Sequence, residues 1–140
     1  MRNIFNSRRF TPTKWDSAEQ KAKFANQFVK FVNSDFKKTF FPHWFYKRLS
    51  MCFGFIAHYN DSGFYATYFI HTGDKIQFLK RVITYACYSD PMFTYGDVES
   101  VLKQWVIDNE FIALYTKQFN NEVEKRERGE LKRLKEKYGE

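Results

Sequence analysis

At 140 residues and 44% hydrophobic content, the chain is long enough to bury a core without staples and too apolar to be disordered. Its two cysteines, Cys52 and Cys87, form neither a secreted disulfide framework nor a zinc-ligand spacing. The N-terminal MRNIFNSRRFTPTKW lacks an apolar signal core, and no stretch reaches the roughly 18 apolar residues of a membrane span, so a cytoplasmic protein is expected.

The net charge of +7 is unevenly distributed. Residues 1–60 carry eleven Lys and Arg against Asp16, Glu19 and Asp35, whereas residues 61–119 carry five against seven acids. A basic first half is an electrostatic footprint for a polyanion.

Residues 1–15 read as an irregular basic arm. Asp16 with Glu19 is a D-x-x-E capping signature, with Trp15 placed to staple the helix start. The first helix then runs to about Asn33, with Ala18, Ala22, Ala25, Val29 and Val32 as its stripe and Phe24, Phe28 and Phe31 beside it. Lys21, Lys23 and Lys30 fall outside that stripe. Pro42 suits the first turn of a second helix, in which Phe45, Leu49, Cys52, Ile56 and Tyr59 recur at helical period. Asn60-Asp61-Ser62-Gly63 reads as the turn ending it.

Residues 64–71, FYATYFIH, are ring-rich but have no convincing partner strand, and are assigned a short helix. Thr72-Gly73-Asp74 opens a helix to about Cys87, with Ile76, Leu79, Val82, Ile83 and Ala86 inward and Lys75, Lys80 and Arg81 on its polar side. Thr94 and Asp97 form another capping pair before Val98, Val101, Leu102, Trp105 and Val106. A bend at Asn109 precedes a helix whose core side is Phe111, Leu114, Tyr115 and Phe119. From Asn120 the chain is mixed-charge, with Glu122/Arg126, Glu124/Arg128 and Glu127/Lys132 spaced for ion pairs. The expected fold is all-α, a compact bundle of five or six helices over residues 16–119. A charged, solvent-exposed helical extension covers 120–140.

Chemistry-bearing patterns are sparse. His58 with Asp61 and His71 with Asp74 share a His-x-x-Asp spacing, which suits an oriented general base and equally suits helix capping. The chain has no C-x-x-C, H-E-x-x-H, G-x-S-x-G or Walker loop, so no metal, cofactor or catalysis is expected. The binding reading is richer. Arg8, Arg9, Lys37, Lys38, Lys47 and Arg48 are candidates for phosphate contact, with Trp44 and Tyr46 as stacking platforms. The start of the second helix adds free N–H groups suited to a phosphate.

The competing explanation of the rings is compositional. Phe, Tyr, Met, Ile, Asn and Lys supply 59 residues, against 24 for Gly, Ala, Arg and Pro, as an AT-rich coding sequence would give. The expectation is a non-catalytic protein that binds nucleic acid, RNA rather than duplex DNA, or a nucleoprotein. The alternative is a protein–protein module or inhibitor docking on a larger enzyme. In size and lack of catalytic motif the chain resembles phage or mobile-element accessory proteins that inhibit host nucleic-acid machinery. That likeness is one of style, carried by no motif.

Overall fold

The computed structural model describes residues 4–55, 60–85 and 90–137. Six α-helices account for most of them: α1 (Ala18–Asn33), α2 (His43–Leu49), α3 (Asp61–Tyr68), α4 (Thr72–Thr84), α5 (Gly96–Asp108) and α6 (Phe111–Lys137). Single 3-10 turns sit at Ser7–Arg9 and Lys38–Phe40. No strand occurs among the described residues, and none of their helices is long and apolar enough to cross a membrane.

The first helix is the axis of the bundle. From Ala22 on, its alanine–valine stripe and its phenylalanine flank are both buried, so α2, α5 and the two 3-10 turns pack around it. Only a polar edge remains towards solvent, marked by exposed Glu19, Gln20 and Lys23. The helix begins one residue later than the D-x-x-E spacing implies. Ser17 and Gln20 form the capping box, with Gln20 N–H on the Ser17 hydroxyl at 3.1 Å and Ser17 N–H on Gln20 Oε1 at 2.7 Å. Trp15 is 72% exposed and staples nothing.

The core is a lattice of rings. Phe31 has no exposed surface and meets Phe36, Phe41, Phe45, Tyr65 and Phe69 at centroid separations of 4.8–6.4 Å. Phe28 meets Phe53, Phe78 and Trp105 at 6.1–6.2 Å. Many pairs are edge-to-face, the arrangement favoured by ring quadrupoles. The aromatic surplus of the sequence is therefore largely spent inside.

Periodicity overreaches at α2. Phe45, Leu49 and Cys52 are buried as the period predicts, but the helix stops at Leu49 rather than continuing towards Tyr59. Met51 and Cys52 donate to Arg48 and Leu49, tightening the chain into i→i+3 bonds. Phe53 and Gly54 then enter the left-handed region at φ 56° and 72°. Tertiary partners hold this reversal. Glu99 accepts the Phe53 N–H, while Arg81 donates to the carbonyls of Phe53 and Gly54 at 2.9 and 2.6 Å. Ile56 and Tyr59 lie outside the described residues.

The Asn60–Gly63 turn chemistry starts a helix instead of ending one: Gly63 N–H bonds Asn60 Oδ1 at 2.8 Å, which makes Asn60 the cap of α3. The fourth helix closes at Thr84, and Ala86 and Cys87 lie outside the described residues. At α5, Thr94 accepts the Gly96 N–H at 3.2 Å, but Asp97 does not complete a capping pair with it. Its carboxylate takes Lys21 Nζ at 2.9 Å and Thr11 N–H at 3.0 Å.

The last helix is continuous from Phe111 to Lys137 and passes through Gly129 unbroken. Tyr115 is buried, whereas Leu114 and Phe119 are 56% and 38% exposed, so the core side of α6 is narrower than expected. Of the predicted pairs, Glu124–Arg128 forms at 3.7 Å, while Glu122 accepts the Thr72 hydroxyl at 2.8 Å. Residues from 124 on are exposed as far as Lys137, in keeping with a charged extension.

Candidate nucleic-acid interface

The N-terminal arm is docked. Asn26 of α1 accepts the N–H groups of Ile4 and Phe5 at 3.1 and 2.9 Å and donates to the Phe5 carbonyl at 2.9 Å. Phe10 is buried against Phe5, and Thr11 is tied to Asp97. A segment read as an irregular arm is thus held on α1. Between the two runs an open groove of about 770 Å³, with Glu19, Lys23, Asn26, Gln27 and Lys30 along its α1 side and Ile4 to Ser7 along the other.

A smaller cavity of about 260 Å³ adjoins this groove through Lys23, which lines both. Lys23 Nζ sits 4.4 Å from the centre of the Trp44 ring, and Trp44 remains 39% exposed. Opposite, Arg48 lies 4.0 Å over the Tyr95 ring and donates to Asp16 Oδ2 at 3.2 Å. Burial is the main reason the Tyr95 hydroxyl is pushed up to about 12, so it stays protonated at neutral pH.

The expected site residues fall into three groups. Arg8 and Arg9, on the first 3-10 turn, and Lys37, Lys38 and Lys47 are exposed cations. Trp44 is an exposed ring at the Lys23 contact. Tyr46 and Arg48 are different: Tyr46 is 7% exposed and packs on Phe41 and Phe64 at 6.2 and 5.6 Å, which removes it as a stacking platform. Arg48 is half-buried and engaged by Asp16 and Tyr95, so it shapes a pocket more than it reaches for phosphate. With seven residues, α2 aligns only about two turns of peptide dipoles behind its N-terminus.

Sequence reasoning missed Lys23, Lys30, Asp16 and Gln20. The available signal was the seven-residue spacing of Lys23 and Lys30, which puts both on one side of α1, about 10 Å apart along its axis. Of the two histidine pairs, only His71 and Asp74 both lie among the described residues. His58 lies outside the described residues, and Asp61 instead faces His43 Nδ1 at 3.2 Å, whose hydrogen bond holds that carboxyl below its usual range. Asp74 bonds His71 through backbone N–H and carbonyl at 3.0 Å. Among the described residues, no three of His, Cys, Asp and Glu converge as a metal site would need.

Comparison with known proteins finds no matching family model, curated protein or solved structure.

Proposed function

We propose that this protein binds single-stranded nucleic acid, RNA in preference to duplex DNA, without catalysing a reaction on it. The observation that carries the reading is Lys23 at the junction of the two cavities, its ammonium group 4.4 Å from an exposed indole. A phosphate needs a cation able to reach it, and an unpaired base needs an exposed ring; here Lys23 lies over one face of Trp44, and the ring remains 39% exposed. Lys30 extends the cationic edge along α1. Exposed Arg8, Arg9, Lys37, Lys38 and Lys47 add to the positive surface of the same half of the chain.

The test is fluorescence anisotropy of labelled single-stranded RNA and duplex DNA, titrated from low to near-physiological salt on protein freed of co-purifying nucleic acid. The expected result is tighter binding of the single strand, with log affinity falling linearly in log salt. No binding of either probe at low salt would sink the reading.

One observation favours the alternative, a protein–protein module or inhibitor of the phage or mobile-element accessory type. Ile107, Leu114 and Phe119 are exposed apolar side chains on α5 and α6, and Leu114 lines a shallow groove with Lys117 and Gln118. Loss of a partner on Leu114→Lys, with RNA binding intact, would support that use of the α6 face.

A further inference from the structure

We infer that the cavity between α1 and α2 is a base-recognition site for guanine in single-stranded RNA, a step that rests on the nucleic-acid reading above. Its walls bear Asp16, Gln20, Lys23, Trp44, Arg48 and Tyr95, and its volume of about 260 Å³ admits one planar heterocycle with solvent to spare. Two flat surfaces are present. One is the part-exposed Trp44 indole, whose other face carries the Lys23 ammonium. The other is the Arg48 guanidinium, which lies over the Tyr95 ring at 4.0 Å on one face and is fixed by Asp16 at 3.2 Å. Splayed-out RNA bases stack on both kinds of surface.

The polar groups select among bases. An ionised carboxylate only accepts hydrogen bonds and has about four lone-pair sites, so Asp16 can serve Arg48 and the Tyr95 hydroxyl and still have two sites for a base edge. Guanine offers a ring N–H and an amino group side by side, two donors for one carboxylate. Adenine and cytosine put a bare ring nitrogen next to their amino group, and uracil sets its single N–H between two carbonyl oxygens. Each of these leaves acceptors facing the carboxylate, the arrangement that polar sites reject most strongly. Gln20 uses Oε1 on the Ser17 N–H, which leaves its amide nitrogen as the donor for a carbonyl such as that of guanine. Lys23, shared with the adjoining groove, takes the phosphate of the same nucleotide or its neighbour.

The experiment compares four labelled RNA decamers by anisotropy: ten uridines, and the same strand with one central G, A or C. The G decamer is expected to bind about tenfold tighter than the others, in line with what one bidentate base contact discriminates. Asp16→Asn should abolish that preference, with circular dichroism confirming the fold. Competition on the unaltered protein by guanosine or adenosine monophosphate asks the same question without a substitution: guanosine monophosphate alone should displace the G decamer. Equal, salt-dependent binding of all four decamers, or equal competition by both nucleotides, overturns the guanine site and leaves the nucleic-acid reading standing. Failure of every decamer to bind at low salt overturns that reading and this site with it.

Discussion

Lys21 and Asp97, 76 residues apart, form an ion pair in which the lysine side chain has no exposed surface at all. Its Nζ donates to Asp97 Oδ1 at 2.9 Å and to the Pro91 carbonyl at 2.8 Å, with the Tyr95 ring 5.4 Å away. The same carboxylate receives the Thr11 N–H, so one pair joins α1, the loop before α5 and the N-terminal segment. Lys21→Met leaves Asp97 without its counter-charge and should cost about 3–5 kcal/mol in chemical denaturation. The double variant Lys21→Met/Asp97→Asn should recover much of that loss, and a double-mutant cycle would measure the coupling.

Glu99 is 5% exposed, and burial is the first cause of a carboxyl held above its usual value, partly opposed by the Phe53 N–H and reinforced by nearby Asp97. The raised folded-state value means the folded protein binds the proton more tightly than the unfolded chain. Stability from this group is therefore full below the unfolded value of 4.5 and declines as pH rises through the folded one. Glu99→Gln keeps an acceptor for Phe53 but does not ionise. Its stability relative to the unaltered protein should improve steadily from pH 4.5 upward, then level off; a pH-independent difference would contradict the assignment.

Gly54 stands at φ 72°, and a Cβ there would lie 2.9 Å from both the Tyr85 ring and the Arg81 guanidinium. Gly54→Ala combines a left-handed backbone with a close approach and should lower stability by about 1–3 kcal/mol, read from the denaturation midpoint. Because Arg81 clamps the same carbonyls, Arg81→Gln should weaken the reversal in the same direction.

Phe31 tests whether the rings serve the core. Phe31→Ala removes a fully buried ring and should cost about 3–5 kcal/mol, whereas Trp15→Ala, at an exposed position, should change stability little. Their RNA affinities under folding conditions should differ much less than their stabilities.

Lys23 and Lys30 should matter more to RNA binding than Lys37 and Lys38. Reversing the first pair to Glu should lower the magnitude of the salt slope by at least about 1.4, the share of two phosphate contacts on a single strand. A smaller change than that of Lys37→Glu/Lys38→Glu would shift the interface from the groove to the second 3-10 turn.

The helical character of the chain was legible because α1, α4 and α5 bury stripes at a clear period of about 3.6. What escaped is tertiary. Lys21 and Lys75 look like surface lysines next to apolar stripes, yet each is buried on a carboxylate contributed by a distant segment, Asp97 and Asp35. The stop of α2 was hidden for the same reason, since its chain reversal is fixed by Glu99 and Arg81 rather than by local turn residues. Of the site, Trp44 and the exposed cations were readable as residue types. Pairing Trp44 with Lys23 required knowing how α1 lies against α2, and Tyr46 was misplaced because α2 buries a wider face than its stripe of period positions.

The Thr72–Glu122 bond is the far anchor of α6 on α4, and fifteen further helical residues follow it to Lys137. At the rise of an α-helix they make a rod about 22 Å long. Its base is fixed again by Tyr115, whose hydroxyl donates to Asp35 at 2.7 Å. The extension is thereby a built-in ruler. A fluorophore near residue 137 would stand at a set remove from the α1 groove, and energy transfer to a dye on either end of a bound strand would report which way the strand runs.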